Sequence, residues 1–224
     1  MARYLYLKRI GTLGISVAAL SFLVGCSYVL PSPPSQATQN SPVTSSTLPN
    51  PLVEQMATTK FNPPLSEALQ RVTLKTFGLY ISPSHSPVIP ERFTGYHTGV
   101  DFETYPSEQN TPLNVIAICT GKLLQKSWVA GYGGVAVQAC NLEGKAITVV
   151  YGHLKLASIA TKVGEELQAG ATWAELGKGY STETDGERKH LHLGIHRGTG
   201  INIRGYVQKP TDLSQWVDVT TYLK

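Results

Sequence analysis

The chain has 224 residues and carries 19 Lys and Arg against 15 Asp and Glu, a formal net charge of +4. Three of those cations, Arg3, Lys8 and Arg9, crowd the first nine residues, so beyond them 16 basic residues face 15 acidic ones and the net charge falls to +1. With no basic stripe left over, the composition argues against a nucleic-acid partner. The three cysteines contain no CxxC pair, which argues against a cysteine-built zinc site.

Arg3, Lys8 and Arg9 precede an apolar run over residues 10–24 that ends in Leu23-Val24-Gly25-Cys26. The run is too short and too near the start for a comfortable transmembrane helix, so residues 1–25 read as a signal peptide. The Leu-Val-Gly-Cys ending resembles the lipobox of bacterial lipoproteins, in which the cysteine becomes the lipidated first residue of the mature chain. An ordinary secretory signal with an incidental cysteine is the alternative. Buried acyl chains contribute about 0.8 kcal/mol per CH₂, so a multi-acylated Cys26 would hold the protein on a membrane. The expected location is the bacterial cell envelope, at the periplasmic face of the outer membrane if the cell has two membranes.

Residues 26–60 read as a lipid-anchored linker. They hold six of the 14 prolines (Pro31, Pro33, Pro34, Pro42, Pro49 and Pro51), many Ser and Thr, and Glu54 as the single acidic residue. Such a stretch buries too little apolar surface to fold and acts as a tether of roughly 30 Å, or towards 100 Å if polyproline-like. Residues 61–224 then make one domain of ordinary size, expected to be a monomer.

Within the domain the pattern predicts a short helix over residues 64–69, where Leu65, Leu69 and Val72 share a face. Short apolar runs at 115–118, 134–140, 146–151, 171–176 and 191–195, separated by Gly, Asn and charged residues, predict strands. Asn141-Leu142-Glu143-Gly144-Lys145 reads as a hairpin turn between two of them. No long helical pattern follows, so the expected class is all-β, mainly antiparallel, with few short helices. Cys119 and Cys140 fall at the ends of two neighbouring strands; they suit either a disulfide in an oxidising compartment or two buried thiols.

Four of the six histidines lie in three separated segments: His97-x-x-x-Asp101, Tyr151-Gly152-His153-Leu154 and His190-Leu191-His192. In a strand, residues i and i+2 share a face, so His190 and His192 project together while Leu191 and Leu193 enter the opposite side. Two such imidazoles call for a metal or a partner to organise them, although a solvated edge strand would also tolerate them. Gly95, Gly99, Tyr96 and Phe102 around His97 favour a tight, partly buried turn into a strand. Three of these histidines with Asp101 would make a metal site and leave groups over for catalysis, which points to a zinc hydrolase. His85 sits in a proline-bracketed loop and reads as exposed; His196 either shares the strand face of His190 or belongs to the following turn.

Taken together, the three segments resemble the lysostaphin/LytM-type zinc endopeptidases of peptidoglycan, with their H-x(3)-D motif, lone histidine in a Y-x-H-L-like segment, and H-x-H motif in the same order. The resemblance spans residues 76–223 and includes Gly131-Tyr132-Gly133-Gly134. Residues 163–170 are also similar to the family's G-x-x-V-x-x-G turn. Where many members have Pro-His-Leu-His-Phe-Glu, this chain has Lys189-His190-Leu191-His192-Leu193-Gly194, a change that bears on substrate specificity more than on metal binding.

The resemblance implies the LytM/lysostaphin-type fold and one Zn²⁺ per domain, held by His97, Asp101 and His192, with the fourth position open to water. It implies His190 as general base and His153 as the group that hydrogen-bonds the oxyanion. Peptidoglycan peptides would be the substrate. The competing expectations are a hydrolase-activating relative that has lost part of the site, or a lipoprotein that only binds the wall. All five positions are present here.

Overall fold

The computed structural model describes residues 60–224. The expected signal peptide over 1–25, Cys26 and all but the last residue of the linker over 26–60 lie outside the described residues.

Twelve strands are formed: β1 (Tyr80–Ile81), β2 (Gly95–His97), β3 (Gly99–Glu103), β4 (Asn114–Ile116), β5 (Gly121–Val129), β6 (Gly133–Leu142), β7 (Lys145–Gly152), β8 (Glu166–Leu167), β9 (Thr172–Glu175), β10 (His190–Arg197), β11 (Tyr206–Val207) and β12 (Trp216–Val217). The named ladders are all antiparallel. A seven-stranded sheet runs β12-β10-β7-β6-β5-β8, and β3 pairs with the N-terminal half of β10 on the edge whose other half takes β12. β1, β2 and β11 form a small second sheet, and β4 pairs with β9. The protein is all-β, as its apolar runs predict.

Alternation along the strands gives the large sheet two apolar faces. Ile147, Val149 and Tyr151 of β7, with Leu191, Leu193 and Ile195 of β10, enter the main core beside Val100 and Phe102 of β3. Leu191, Leu193 and Ile195 are completely buried, and burying each such side chain contributes about 1.5–3 kcal/mol. The opposite face carries a smaller cluster of Tyr132, Val135, Val137 and Val150. His190 and His192 lie on this second face, opposite Leu191 and Leu193.

β6 turns into β7 through Glu143 and Gly144, both with positive φ (51° and 78°). That is the two-residue hairpin connection whose backbone matches strand twist, at the site expected from sequence. The helix expected over 64–69 is not formed. Glu67 takes a left-handed conformation (φ 53°), and only one 3-10 turn follows, at Ala68–Arg71. Arg71 faces inward, its guanidinium paired with both carboxylate oxygens of Glu108 at 2.7 and 2.8 Å. Regular helix among the described residues is limited to short 3-10 turns.

Cys119, just before β5, and Cys140 of β6 are joined as a disulfide with Cα atoms 6.1 Å apart. At the two ends of the domain, Phe61 and Leu223 form a parallel bridge, with Phe61 N–H donating to the Tyr222 carbonyl at 2.7 Å and Lys224 N–H to the Phe61 carbonyl at 3.2 Å.

Candidate metal centre

Backbone register brings the sequence-predicted residues together. His192 of β10 is the direct partner of Asp101 on β3 and of Gly152 on β7, while His190 pairs with Glu103. Cross-strand partners share a face, so Asp101, Glu103, His190 and His192 all rise from the same side of the sheet. His153 follows immediately after β7. Its φ of 62° is unusual for a non-glycine residue and turns the chain sharply, leaving its ring centroid 4.2 Å from that of His190. His97 comes from the small sheet, where it pairs with Tyr206.

Two glycines make room for His192. A Cβ on Gly99 would lie 2.6 Å from the Leu193 carbonyl oxygen and 2.7 Å from the His192 ring. One on Gly152 would lie 2.5 Å from the Tyr132 ring and 3.2 Å from His192 Cβ. Neither position tolerates a side chain without movement of the site.

Three ligand-type atoms converge. His97 Nε2 lies 3.0 Å from His192 Nδ1 and 3.3 Å from Asp101 Oδ1, and His192 Nδ1 lies 3.1 Å from the same oxygen. Zinc bonds of about 2.0–2.1 Å in tetrahedral geometry require ligand atoms about 3.3 Å apart, so this donor set fits the ion in both spacing and chemistry. His97 Nδ1 is 3.1 Å from the Thr76 carbonyl, to which it can donate, leaving Nε2 as the lone-pair nitrogen. Metal-ligating histidines are commonly oriented by such a second contact.

All five side chains are buried. Burial pushes His192 down to about 4, with Asp101 opposing it, so its imidazole is neutral and able to ligate at pH 7. His153 is pushed well below the usual histidine range, chiefly by burial and then by His190. Burial alone would raise Asp101, but its electrostatic and hydrogen-bonding contacts with His190, His97 and His192 overcome it and hold the carboxyl well below the usual range.

Asp101, His153, His190 and His192 line a cleft of about 320 Å³ walled by Tyr132, Phe93, Ile203 and Tyr206. Tyr132 packs its ring against both His192 and His153, at 5.2 and 5.6 Å between centroids. The other two histidines stay out of the site. His85 is exposed, with Nδ1 2.9 Å from Ser84 Oγ. His196 shares the face of His190 and packs edge-on against Trp216 of β12 at 4.9 Å, away from the cleft.

Sequence reasoning missed Arg188. Its Nη2 donates to Asp101 Oδ2 at 2.9 Å and its Nε to Glu103 Oε2 at 2.9 Å, while its carbonyl faces His190 Nδ1 at 2.9 Å. The available signal was the charged triplet Glu187-Arg188-Lys189, which runs directly into a buried strand.

Residues 95–204 match the model of peptidase family M23. Among solved structures, the chain is similar to LytU, with 27% identity over 68% of this chain and 90% of that one and a TM-score of 0.44. The catalytic domain of the antimicrobial peptidase lysostaphin from Staphylococcus simulans shows 22% identity, covering 69% of this chain and 96% of that one, with a TM-score of 0.44. Csd3 from Helicobacter pylori shows 18% identity over 75% of this chain, which spans 36% of that one, with a TM-score of 0.45. No curated protein sequence matches the chain.

Proposed function

Because residues 95–204 form a peptidase family M23 domain, we propose that the protein is a zinc-dependent endopeptidase that hydrolyses peptide bonds in the stem peptides or cross-links of peptidoglycan. One observation carries the reading: His97, Asp101 and His192 present three ligand atoms at tetrahedral spacing, with His190 and His153 in the same cleft. When bound there, zinc would supply Lewis acidity towards the scissile carbonyl and towards water.

The chain's own groups divide the remaining work. With Nδ1–H donating to the Arg188 carbonyl, His190 carries its lone pair on Nε2, which borders Asp101 Oδ2 and can take a proton from water in the cleft. The imidazolium so formed lies 3.2 Å from Asp101 Oδ2, which stabilises its charge and leaves the proton available for the departing amine. His153, neutral because it is buried, retains an N–H to donate to the carbonyl oxygen as negative charge builds on it. Tyr132, held against both His192 and His153, helps keep these rings in place and shields them from bulk water.

In this reading a lipidated Cys26 and the linker over 26–60 hold a monomeric domain on a membrane of the bacterial envelope, within reach of the wall. The test is zinc content of the purified protein together with release of peptide fragments from purified peptidoglycan, with and without a chelator. One zinc per chain and chelator-sensitive fragments are expected. Zinc without cleavage across wall types would favour a wall-binding or hydrolase-activating role, and no zinc would refute the ligand set.

A further inference from the structure

The two oxygens of Asp101 have different neighbours. Oδ1 faces His97 Nε2 and His192 Nδ1, whereas Oδ2 faces Arg188 Nη2 at 2.9 Å and His190 Nε2 at 3.2 Å. Asp101 and Glu103 are i and i+2 on β3, so both carboxylates point to the side from which Arg188 enters. The guanidinium bonds both of them, and its side chain is only 12% exposed. Its main chain reaches the site too, through the carbonyl that receives His190 Nδ1–H. One residue therefore touches both the carboxylate of the ligand set and the proposed base.

From this geometry we infer that Arg188 is a positioning residue, anchored by Glu103, that fixes Asp101 so that Oδ1 alone turns towards the metal. The inference rests on the zinc reading of the site. A planar guanidinium offers donors in a fixed fork, so bonding Glu103 through Nε and Nη2 leaves Nη2 aimed at Asp101 and removes the carboxylate's freedom to swing. Glu103 has a second effect. It offsets the positive charge of Arg188, which would otherwise stand beside a dication. Orientation is thereby obtained without added repulsion. A lysine at this position keeps the charge but not the fork.

The experiment is a zinc dissociation constant measured on the chelator-stripped protein by competition with a chromophoric chelator, for the parent chain and for Arg188→Gln, Arg188→Lys, Glu103→Gln and the double Gln variant. Losing a partner that orients a ligand commonly costs 10–100-fold in metal affinity. Arg188→Gln is expected to lose zinc affinity in that range, and Arg188→Lys to recover it only in part. Glu103→Gln is expected to weaken binding as well, and the double variant to be no weaker than Arg188→Gln alone, because the two side chains act as one unit. An Arg188→Gln protein that folds and binds zinc within about twofold of the parent overturns the inference. If that variant does not fold, Glu103→Gln decides: unchanged affinity overturns the inference and weakened affinity supports it. Failure of the parent chain to bind zinc would instead overturn the metal reading beneath it.

Discussion

Asp101 and His192 are direct cross-strand partners in the β3–β10 ladder, and Asp101 Oδ1 lies 3.1 Å from His192 Nδ1. Two of the three proposed metal ligands are thus set by sheet register. The same register that sends Leu191 and Leu193 into the core lifts His190 and His192 into the cleft. A slip by one residue would exchange the two sets, and burial of the leucines opposes it.

The glycines beside this pair give the first prediction. Gly152→Ala places a methyl group 2.5 Å from the Tyr132 ring, and Gly99→Ala places one against the His192 ring and a backbone oxygen. Each is expected to cost about 1–3 kcal/mol by overpacking and to weaken zinc binding. Urea denaturation and metal titration of the two variants check this; unaltered behaviour in both would mean that the site relaxes freely.

His190→Ala separates holding the metal from moving the proton. His190 is outside the convergent ligand triad, so the variant should retain one zinc per chain while turnover of wall peptides falls by about 10²–10⁴-fold, the usual worth of a general base. Metal analysis paired with fragment release tests both halves. Normal cleavage would remove His190 from the mechanism.

Stability of the metal-free protein should fall with acid, in two steps. His192 lies at about 4 when folded and near 6.5 when unfolded, so the unfolded chain binds the extra proton first. The associated stability is present above about pH 6.5 and is lost as pH falls towards 4, on the order of 2 kcal/mol by pH 5. His153, also depressed, adds in the same direction. Asp101 is depressed as a carboxyl; its contribution is present above about pH 4 and is lost below it. Urea midpoints from pH 7 to pH 3 report the sum, and added zinc should hold the midpoint up near pH 6 by competing with protons for the histidines. A flat profile would contradict the buried, neutral state of these rings.

Cys119→Ala should destabilise the oxidised protein by about 3 kcal/mol, the loop-closure value for a separation of 21 residues. The bridge joins the segment just before β5 to β6 on the core face and does not touch the cleft, so zinc affinity should be unchanged. Thermal melts with and without reductant, beside a zinc titration, distinguish the two effects.

How legible the sequence was varied with how local the signal is. β10 could be read because His and Leu alternate at period two, and the β6–β7 hairpin because Glu143-Gly144 fits a tight turn. β5 escaped notice although it is nine residues long. Its Lys122, Gln125, Lys126 and Ser127 blur the alternation, and the register shifts between Leu123 and Gln125. The expected helix near Leu65 is interrupted at Glu67, whose left-handed backbone (φ 53°) no α-helix accommodates, and Arg71 beyond it turns inward to Glu108, 37 residues away. The metal-site histidines stood out as rare residues in recognisable motifs. Arg188 did not, since an arginine between a glutamate and a lysine looks like surface until Asp101 and Glu103 are brought against it.

The clasp between Phe61 and Leu223 has a topological consequence. With the two ends of the domain hydrogen-bonded to each other, a short loop could join residue 224 to residue 60, and the chain could be reopened at the exposed Glu143-Gly144 turn. In that circular permutant the order in which β3, β7 and β10 are synthesised would change, while their ladders, and with them the meeting of His97, Asp101 and His192, would be preserved.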